Sequence, residues 1–512
     1  MFKNHPKGLL AASLANMGER FGFYTMMAIL TLFLMTKFGL DETTTGIIYS
    51  IFYASIYLLA LVGGLLADKT RNYKGIILTG LLLMSLGYLI IAIPTPTPVP
   101  ADKFGLFLAL SCLGLLVIAF GNGLFKGNLQ ALVGQMYDDP KYSKMRDSGF
   151  QLFYMFINVG AIFAPFIAVG VRNWWVEKNG FIYNADLPTL AHQHLGNTIT
   201  SEGAVRLQNL SSEMGFSGAD LTTFSSEYLN VFTTGFHYAF AVAIIAMLIS
   251  MTIYYVNRNR FPNPGAVKVA TDENGTPVAE MDIKEVKQRL YALFAVFAVV
   301  IFFWFSFHQN GLTLTYFAKD YTDLSQIKIN LGFATLQGAE IFQSINPFFV
   351  VFLTPIIVGF FGWLRVKGME PSTPRKIAIG MGIAALAYVV MALGSMGLPL
   401  KGEVDAMGGL PDAARVTPWL LIGTYFILTV AELFISPLGI SFVSKVAPPK
   451  YQGIMQGAWL GATAAGNSLL FIGAIFYSSI SMTATWMVFV TACLISMFTM
   501  LAMIKWLEKV AK

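Results

Sequence analysis

The feature of this sequence that most limits its possible folds is a series of long stretches without charged residues. Two of them run from Gly75 to Pro100 and from Ala239 to Asn257. The hydrocarbon core of a bilayer requires about 20 apolar residues per helix, and these stretches meet that length. Barrel strands would be about half as long and would alternate apolar with polar residues. The stretches therefore predict an all-α membrane protein.

The composition extends this prediction to the whole chain. Only 12% of the 512 residues are charged, 55% are hydrophobic, and the mean hydropathy is +0.63. A chain this apolar cannot cover a soluble surface with polar groups. The net charge of +6 is spread over loops, so it indicates no nucleic-acid partner. Cys112 and Cys493 lie in apolar runs and are expected to be buried hydrophobes. A soluble enzyme, a disordered chain and a nucleic-acid-binding domain are thereby excluded.

The apolar runs divide into twelve predicted spans, separated by proline-rich and charged segments. Their predicted positions are 9–36, 45–66, 75–94, 104–126, 149–170, 236–256, 290–317, 333–361, 377–396, 418–443, 454–477 and 485–504. With the N-terminus in the cytoplasm, 23 of the 34 Lys and Arg residues fall inside and 9 outside, and Arg20 and Lys126 fall within spans. This asymmetry predicts that both termini are cytoplasmic.

Two long connections organise the spans. Residues 171–235 form a predicted outer loop, and residues 257–289 form a predicted cytoplasmic linker between the sixth and seventh spans. The chain is thereby expected to consist of a six-helix bundle over 1–256, the linker, and a second bundle over 290–512. Transporters with two such bundles bind their substrate between the halves, near the midplane. A membrane receptor or a channel is the alternative from another functional class, but neither predicts a division of the chain into two six-span halves.

Charged residues within the spans are the main functional candidates, because a charge at bilayer depth costs a few kcal/mol. They are Glu19, Arg20, Lys126 and Glu432. Asn16, Phe23 and Met27 share a helical stripe with the first two. The structural alternative for Glu19 and Arg20 is an ion pair that only locks the bundle. Adjacent helix positions lie about 100° apart, however, so at least one of the two residues is expected to have a partner elsewhere.

The other candidates each have a structural alternative. Lys126 follows a glycine-rich stretch, Gly121–Phe125, that would let another helix approach, and it would snorkel to the cytoplasmic face if the fourth span ended there. His308 in the seventh span is either a proton relay or a satisfied core histidine. Asn158, Gln343 and Asn346 are either site residues or helix–helix hydrogen-bond partners. Glu340 is expected near the outer end of the eighth span, and Pro437 is expected to loosen the tenth.

Several motifs resemble those of one known family. Residues 63–69, with Gly63, Gly64, Asp68 and Lys69, resemble the second-loop signature of the major facilitator superfamily. Residues 16–24 are similar to the ExxERFxYY motif of the proton-dependent oligopeptide transporter family, and residues 150–161, 342–347 and 432–439 resemble its signatures in the fifth, eighth and tenth helices. Lys126 matches the family's fourth-helix lysine. The resemblance covers residues 9 to about 470.

The sequence departs from the family pattern at several positions. Asn16 stands in place of the first glutamate of ExxER, Phe23 in place of the first tyrosine, and Met27 in place of a usual arginine. Gly127 replaces the proline that usually follows the lysine, and His308 aligns with a usually acidic position. Linker 257–289 is also too short and polar to cross the membrane twice, so the extra helix pair of many bacterial members is not expected.

The resemblance implies a major facilitator fold and uptake of di- and tripeptides by alternating access, driven by the proton gradient with no cofactor. It implies that Arg20 and Lys126 bind the peptide carboxylate, that Glu432, Asn158 and Asn346 bind its amine, and that Glu19, Arg20, Lys126 and His308 couple protons. The implied pocket walls are Phe23, Tyr24, Tyr154, Trp304, Gln343, Ser436 and Trp459. A monomeric unit in a bacterial inner membrane is expected. The alternative within the fold is a carrier of a nitrate-like anion or an amino-acid-like zwitterion.

Overall fold

The computed structural model describes residues 5–137, 139, 141–142, 145–216, 220–262, 282–448 and 451–510. Within these ranges, twelve helical segments are long and apolar enough to cross a membrane, which confirms the predicted number of spans. Of the predicted linker, residues 263–281 lie outside the described part of the chain.

The N-terminal bundle contains six long helices. They are α1 (Lys7–Phe38), α2 (Glu42–Thr70), α3 (Tyr73–Ala92), α4 (Phe104–Met136), α5 (Arg146–Lys178) and α8 (Leu221–Val256). Helix α1 packs against α5 and α8, and α4 packs against α2 and α3. The turn between α1 and α2 is set locally, because Gly39 adopts a left-handed conformation (φ 62°) and the Asp41 carboxylate accepts a hydrogen bond from the Thr44 amide.

The C-terminal bundle is built from more interrupted helices. They are α9 (Ile283–Phe307), α10 (Thr313–Tyr321), α11 (Ile345–Val366), α12 (Thr373–Gly394), α14 (Pro418–Val446), α15 (Gln452–Ser468), α16 (Phe471–Ser479) and α17 (Met482–Val510). A short 3₁₀ turn, His308–Gly311, joins α9 to α10 in the seventh span. Another, Ala339–Ser344, precedes α11. Helix α14 runs through Pro437 without a break.

One predicted span limit and the predicted location of one motif are corrected. The eighth span does not begin at residue 333, because strands β1 (Ile329–Asn330) and β2 (Thr335–Leu336) form an antiparallel hairpin around Gly332, whose φ is 85°. The motif 63–69 is not in a loop, because nothing interrupts α2 before the left-handed residue Arg71, and the motif forms the last two turns of that helix.

The predicted outer loop 171–235 is largely helical. Helix α5 continues to Lys178 and α8 begins at Leu221, since Asp220 accepts hydrogen bonds from the Thr222 and Thr223 amides. Between them lie α6 (Leu187–Leu195) and α7 (Ser201–Glu213). We call residues 179–216, which lie on the side predicted to face outward, the outer cap. Burial of Leu187, Leu190 and Leu207 on its inner side explains why this polar segment folds.

The outer cap rests on both bundles. His192 hydrogen-bonds through Nε2 to the Thr36 carbonyl of α1 at 2.6 Å. Toward the other bundle, the Thr200 hydroxyl donates to the Ala406 carbonyl at 2.5 Å. The Asp186 carboxylate accepts from Arg206 of the cap at 2.8 Å and from Arg415 of the C-terminal bundle at 2.7 Å. The cap therefore bridges the outer ends of the two bundles.

Further ion pairs close the outer end directly. The Lys401 ammonium, on short helix α13 (Lys401–Ala406), lies 3.2 Å from the Glu42 carboxylate of α2 and 3.5 Å from that of Asp320. Lys401 also pairs with Asp405. Arg172 of α5 pairs with Glu340, which lies at the outer end of the eighth span as predicted. Buried pairs of this kind lose several kcal/mol when one partner is removed.

Glycines allow the N-terminal helices to approach closely. A Cβ on Gly63 would lie 2.1 Å from the Gly123 carbonyl oxygen, and one on Gly121 would lie 2.7 Å from that of Gly80. The glycines before Lys126 therefore permit helix contact, as predicted. Gly64, beside Gly63, would meet no atom within 4 Å.

The first prediction uses this adjacent pair. Gly63→Ala should destabilise the protein by at least about 1–3 kcal/mol, because the added methyl overpacks the α2–α4 contact. Gly64→Ala should be neutral or stabilising by up to about 1 kcal/mol, because it only reduces backbone freedom within a helix. Thermal unfolding in detergent, followed by size-exclusion chromatography, checks both. Equal unfolding temperatures for the two variants would contradict the proposed contact.

The second prediction concerns closure of the outer end. Lys401→Met removes the cation shared by Glu42, Asp320 and Asp405, and breaking a buried network should cost about 3–5 kcal/mol of the closed form. Labelling of Thr45→Cys, a fully buried α2 position, by a bulky maleimide should then accelerate at least tenfold in a background without Cys112 and Cys493. Lys284→Met, at an exposed lysine, is the control. An unchanged labelling rate would show that Lys401 does not hold this end closed.

Candidate functional site

Glu19 and Arg20 form a buried bidentate ion pair. The two arginine-to-carboxylate contacts measure 2.5 and 2.6 Å, and the side chains are 0% and 5% exposed. The prediction that adjacent residues face each other poorly is wrong here, because the long arginine side chain folds back along α1. The predicted outside partner exists: the Asn122 amide of α4 donates to Glu19 Oε1 at 2.8 Å. The guanidinium also lies 4.7 Å from the centre of the Phe23 ring.

Lys126 lies within α4, ten residues before its end, so the fourth span does not stop there as the snorkelling alternative requires. Its ammonium lies 4.8 Å from the centre of the Tyr57 ring of α2. Arg20 and Glu19 are near enough to interact with it electrostatically. No carboxylate among the described residues lies within 4 Å of the ammonium, so within this part of the chain Lys126 is a half-buried cation without an ion-pair partner.

Glu432 occupies the opposite bundle. The Asn346 amide of α11 donates to its carboxylate at 2.8 Å and to the Thr429 hydroxyl at 3.0 Å. Within the described ranges of the chain, no cation lies within 4 Å of this carboxylate. Tyr24 of α1 is near enough to interact electrostatically with both Arg20 and Glu432. The predicted pair Glu432–Asn346 is thus brought together, on the far side of the interface from Arg20.

His308 lies where the two bundles meet. Its Nδ1 is 2.5 Å from Asn467 Oδ1 of α15. Its ring stacks on Trp304 at 4.9 Å between ring centres and contacts Tyr53 of the opposite bundle at 4.8 Å. The centre of the Tyr57 ring, over which the Lys126 ammonium lies, is 6.4 Å from the centre of the His308 ring. His308 is therefore linked through two tyrosines to the cation of the N-terminal bundle.

The remaining predicted residues occupy different positions. Gln343 donates across the interface to the Ala28 carbonyl at 3.3 Å. Asn158 donates to the Tyr154 carbonyl of its own helix at 3.1 Å. Tyr154 is 47% exposed, whereas Trp459 is 3% exposed and packs against Phe297 and Gly439 inside its bundle. Ser436 is partly exposed.

The motif at the end of α2 has a structural role in this conformation. Gly63 provides the close approach to α4, and its carbonyl accepts a hydrogen bond from the Asn128 amide at 3.0 Å. Asp68 accepts one from the Tyr73 hydroxyl of α3. Gly64 and Lys69 lie on the exposed side.

Four residues of the site have no place in the sequence-based prediction: Asn122, Tyr53, Tyr57 and Asn467. A signal existed for the tyrosines, because Tyr49, Tyr53 and Tyr57 recur every four residues and so share one face of α2. The two asparagines are single amides inside apolar runs. Nothing in their local sequence distinguishes them from ordinary helix-packing residues.

Comparison with known sequences identifies the family. The POT family profile matches residues 74–274 and 266–487. The peptide transporter YePEPT of Yersinia enterocolitica is 29% identical over 477 residues, covering 91% of this chain and 87% of that protein. Dipeptide and tripeptide permease A of Chromobacterium violaceum is 28% identical over 455 residues, with coverages of 88% and 81%.

Solved structures share the fold. A peptide transporter POT crystallised with sulfate gives a TM-score of 0.71 at 23% identity, covering all of this chain and 96% of its own. A POT family transporter in complex with a thioalcohol-conjugated peptide gives 0.70 at 21%, with coverages of 100% and 98%. The fold is therefore the major facilitator arrangement of two six-helix bundles. The chain belongs to the POT family of transporters and is an integral multi-pass membrane protein.

Proposed function

We propose that this protein takes up di- and tripeptides together with protons by alternating access. One observation carries the proposal: within the described residues, the Lys126 ammonium and the Glu432 carboxylate have no ion-pair partner, and they lie in separate bundles. Buried charges are costly unless they are partnered or used in function. A small zwitterion spanning the interface satisfies both, and its binding draws the bundles together.

The peptide carboxylate binds Lys126 and Arg20 in this proposal, with Arg20 able to offer a two-pronged contact. The peptide amine binds Glu432, whose carboxylate is already oriented by Asn346. Asn158 contributes only its side-chain oxygen, because its amide nitrogen donates to the Tyr154 carbonyl. Tyr24, near both Arg20 and Glu432, contacts the peptide backbone. The exposed Tyr154 is the better pocket wall, whereas Trp459 supports its bundle from within.

Proton coupling is proposed at Glu19. Protonation weakens the bidentate pair with Arg20 and leaves Asn122 as the remaining partner of Glu19. Arg20 is then free to accept the peptide carboxylate. Loss of the proton to the cytoplasm restores the pair and expels the peptide. Asn16 cannot titrate, so Glu19 and His308 carry the coupling between them.

The proton gradient is the proposed energy source, and a single chain is the proposed transport unit because it supplies both halves of the site. Symport of a proton with a neutral zwitterion moves net charge, which is worth about 2.3 kcal/mol per charge per 100 mV. The membership in a family with bacterial peptide transporters and permeases supports an inner-membrane location.

The third prediction tests the function itself. Proteoliposomes containing the protein should accumulate labelled dialanine when the outside is acidified, and an inside-negative potential should increase the uptake. Unlabelled tripeptide should compete, whereas nitrate and free alanine should not. Uptake of nitrate without dialanine uptake would favour the anion carrier, and binding without transport would favour a receptor.

The fourth prediction concerns Glu19. Glu19→Gln should abolish proton-driven accumulation of dialanine, because the neutral amide cannot release the coupling proton, while exchange of internal for external dialanine continues. Glu285→Gln, at a carboxylate that is 48% exposed, is the control and should behave as wild type. Accumulation at the wild-type level in Glu19→Gln would remove Glu19 from the mechanism.

The fifth prediction concerns the amine site. Glu432→Gln should weaken dialanine binding at least tenfold, since it removes the charge that faces the amine. The comparison compound is N-acetyldialanine, which lacks a charged amine. Competition assays should show that the wild type prefers dialanine and that the variant has lost most of this preference. An unchanged preference would place the amine elsewhere.

A further inference from the structure

Asn467 is a buried amide beside His308 that the proposed mechanism does not use. It is fully buried on α15, and its side-chain oxygen lies 2.5 Å from His308 Nδ1. Its own nitrogen, Nδ2, has no hydrogen-bond partner within the described part of the chain. An unsatisfied buried donor costs about 1–3 kcal/mol.

The contact determines which imidazole nitrogen carries a proton. An amide oxygen only accepts hydrogen bonds, so with the Asn467 oxygen facing the ring, Nδ1 is the protonated nitrogen of the neutral imidazole. Rotation of the ring is blocked, because Trp304 stacks on one face at 4.9 Å and Tyr53 packs at 4.8 Å. Nε2 has no hydrogen-bond partner among the residues that the structure describes, so it is the basic atom of His308.

The surroundings of His308 link its charge to that of the N-terminal bundle. Lys126 interacts electrostatically with the ring. Among the described residues, the ionisable side chains that contact residues 306–311 include five tyrosines and one thiol: Tyr49, Tyr53 and Tyr57 of α2, Tyr388 of α12, Tyr425 of α14 and Cys493 of α17. A proton gained at Nε2 therefore adds a positive charge near Lys126, and no carboxylate of the described residues contacts the ring to cancel it.

We propose that Asn467 is a positioning residue for proton coupling, which holds His308 in the tautomer whose Nε2 faces the bundle interface and takes up the transported proton. The proposal rests on the proposed function. Water on the outer side supplies the proton, an N–H bond forms at Nε2, and the same bond breaks when the proton passes to water on the inner side. Asn467 keeps its hydrogen bond to Nδ1 throughout.

The first test measures the tautomer without any transport. Protein labelled with ¹⁵N-histidine is studied by NMR at alkaline pH, and the His308 signals are assigned by their loss in His308→Gln. The wild type should show the form protonated at Nδ1, and Asn467→Leu should show a mixture or the other form. A wild-type ring protonated at Nε2 would overturn the proposal even if peptide uptake is confirmed.

The second test measures the pH dependence of dialanine uptake. Asn467→Asp places a carboxylate against Nδ1–H and so stabilises the charged ring, which should move the alkaline limb of the profile upward by about one pH unit or more. The shift should disappear in the His308→Gln background. An unchanged profile in a variant that still exchanges dialanine would overturn the proposal, as would a shift that persists without His308.

Asn467→Leu provides a second variant in case the aspartate does not fold. It keeps the size of the side chain and removes the acceptor, so proton-driven accumulation should fall at least fivefold while dialanine exchange is retained. Undiminished accumulation would overturn the proposal. Absence of dialanine transport in the wild type would instead refute the proposed function and leave the tautomer result standing.

Discussion

The cost of placing charge in a low-dielectric environment organises this protein. Each charge that lies deep in the spans has either an immediate partner or a position at the interface between bundles. Glu19 and Arg20 neutralise each other at 2.5 Å, whereas Lys126 and Glu432 lie in opposite bundles without an ion-pair partner in the described residues. In the proposed mechanism, a dipolar solute meets both of these charges at the interface. A solute that binds both charges removes the cost of enclosing them unpaired. Closure around the solute is therefore favoured over closure of an empty interface.

The two bundles serve this interface in different ways. In the N-terminal bundle, long continuous helices are held at close range by glycines such as Gly63 and Gly121, which fixes the positions of Arg20 and Lys126. In the C-terminal bundle the helices are interrupted near the site. The Gln309 amide nitrogen donates to the Leu470 carbonyl at 3.2 Å, at the junction of α15 and α16. A side chain thus satisfies a backbone group that an unbroken helix would have satisfied itself.

At the outer end, the polar contacts that hold the bundles together are numerous and separate from the site. The outer cap reaches α1 through His192 and the C-terminal bundle through Thr200 and Asp186. Lys401 and Arg172 add direct pairs between the bundles. These contacts include buried ion pairs, each of which costs several kcal/mol to break, so they favour the closed form of this end.

The sequence by itself determined the class of fold and the charges that matter. Twelve spans follow from hydrophobic length, and Glu19, Arg20, Lys126 and Glu432 stand out because charge is rare there. Only the tertiary structure decided how these residues are paired. Adjacent Glu19 and Arg20 were expected to diverge, and the flexibility of a long side chain let them meet.

The helices of the outer cap escaped prediction because their apolar face is short and is buried only by contact with both bundles. Asn122 and Asn467 could not be distinguished from packing residues, because their roles depend on partners 103 and 159 positions away along the chain. The local sequence shows which side chains are costly to bury. Which residue partners each of them depends on how helices that are distant in the sequence pack together.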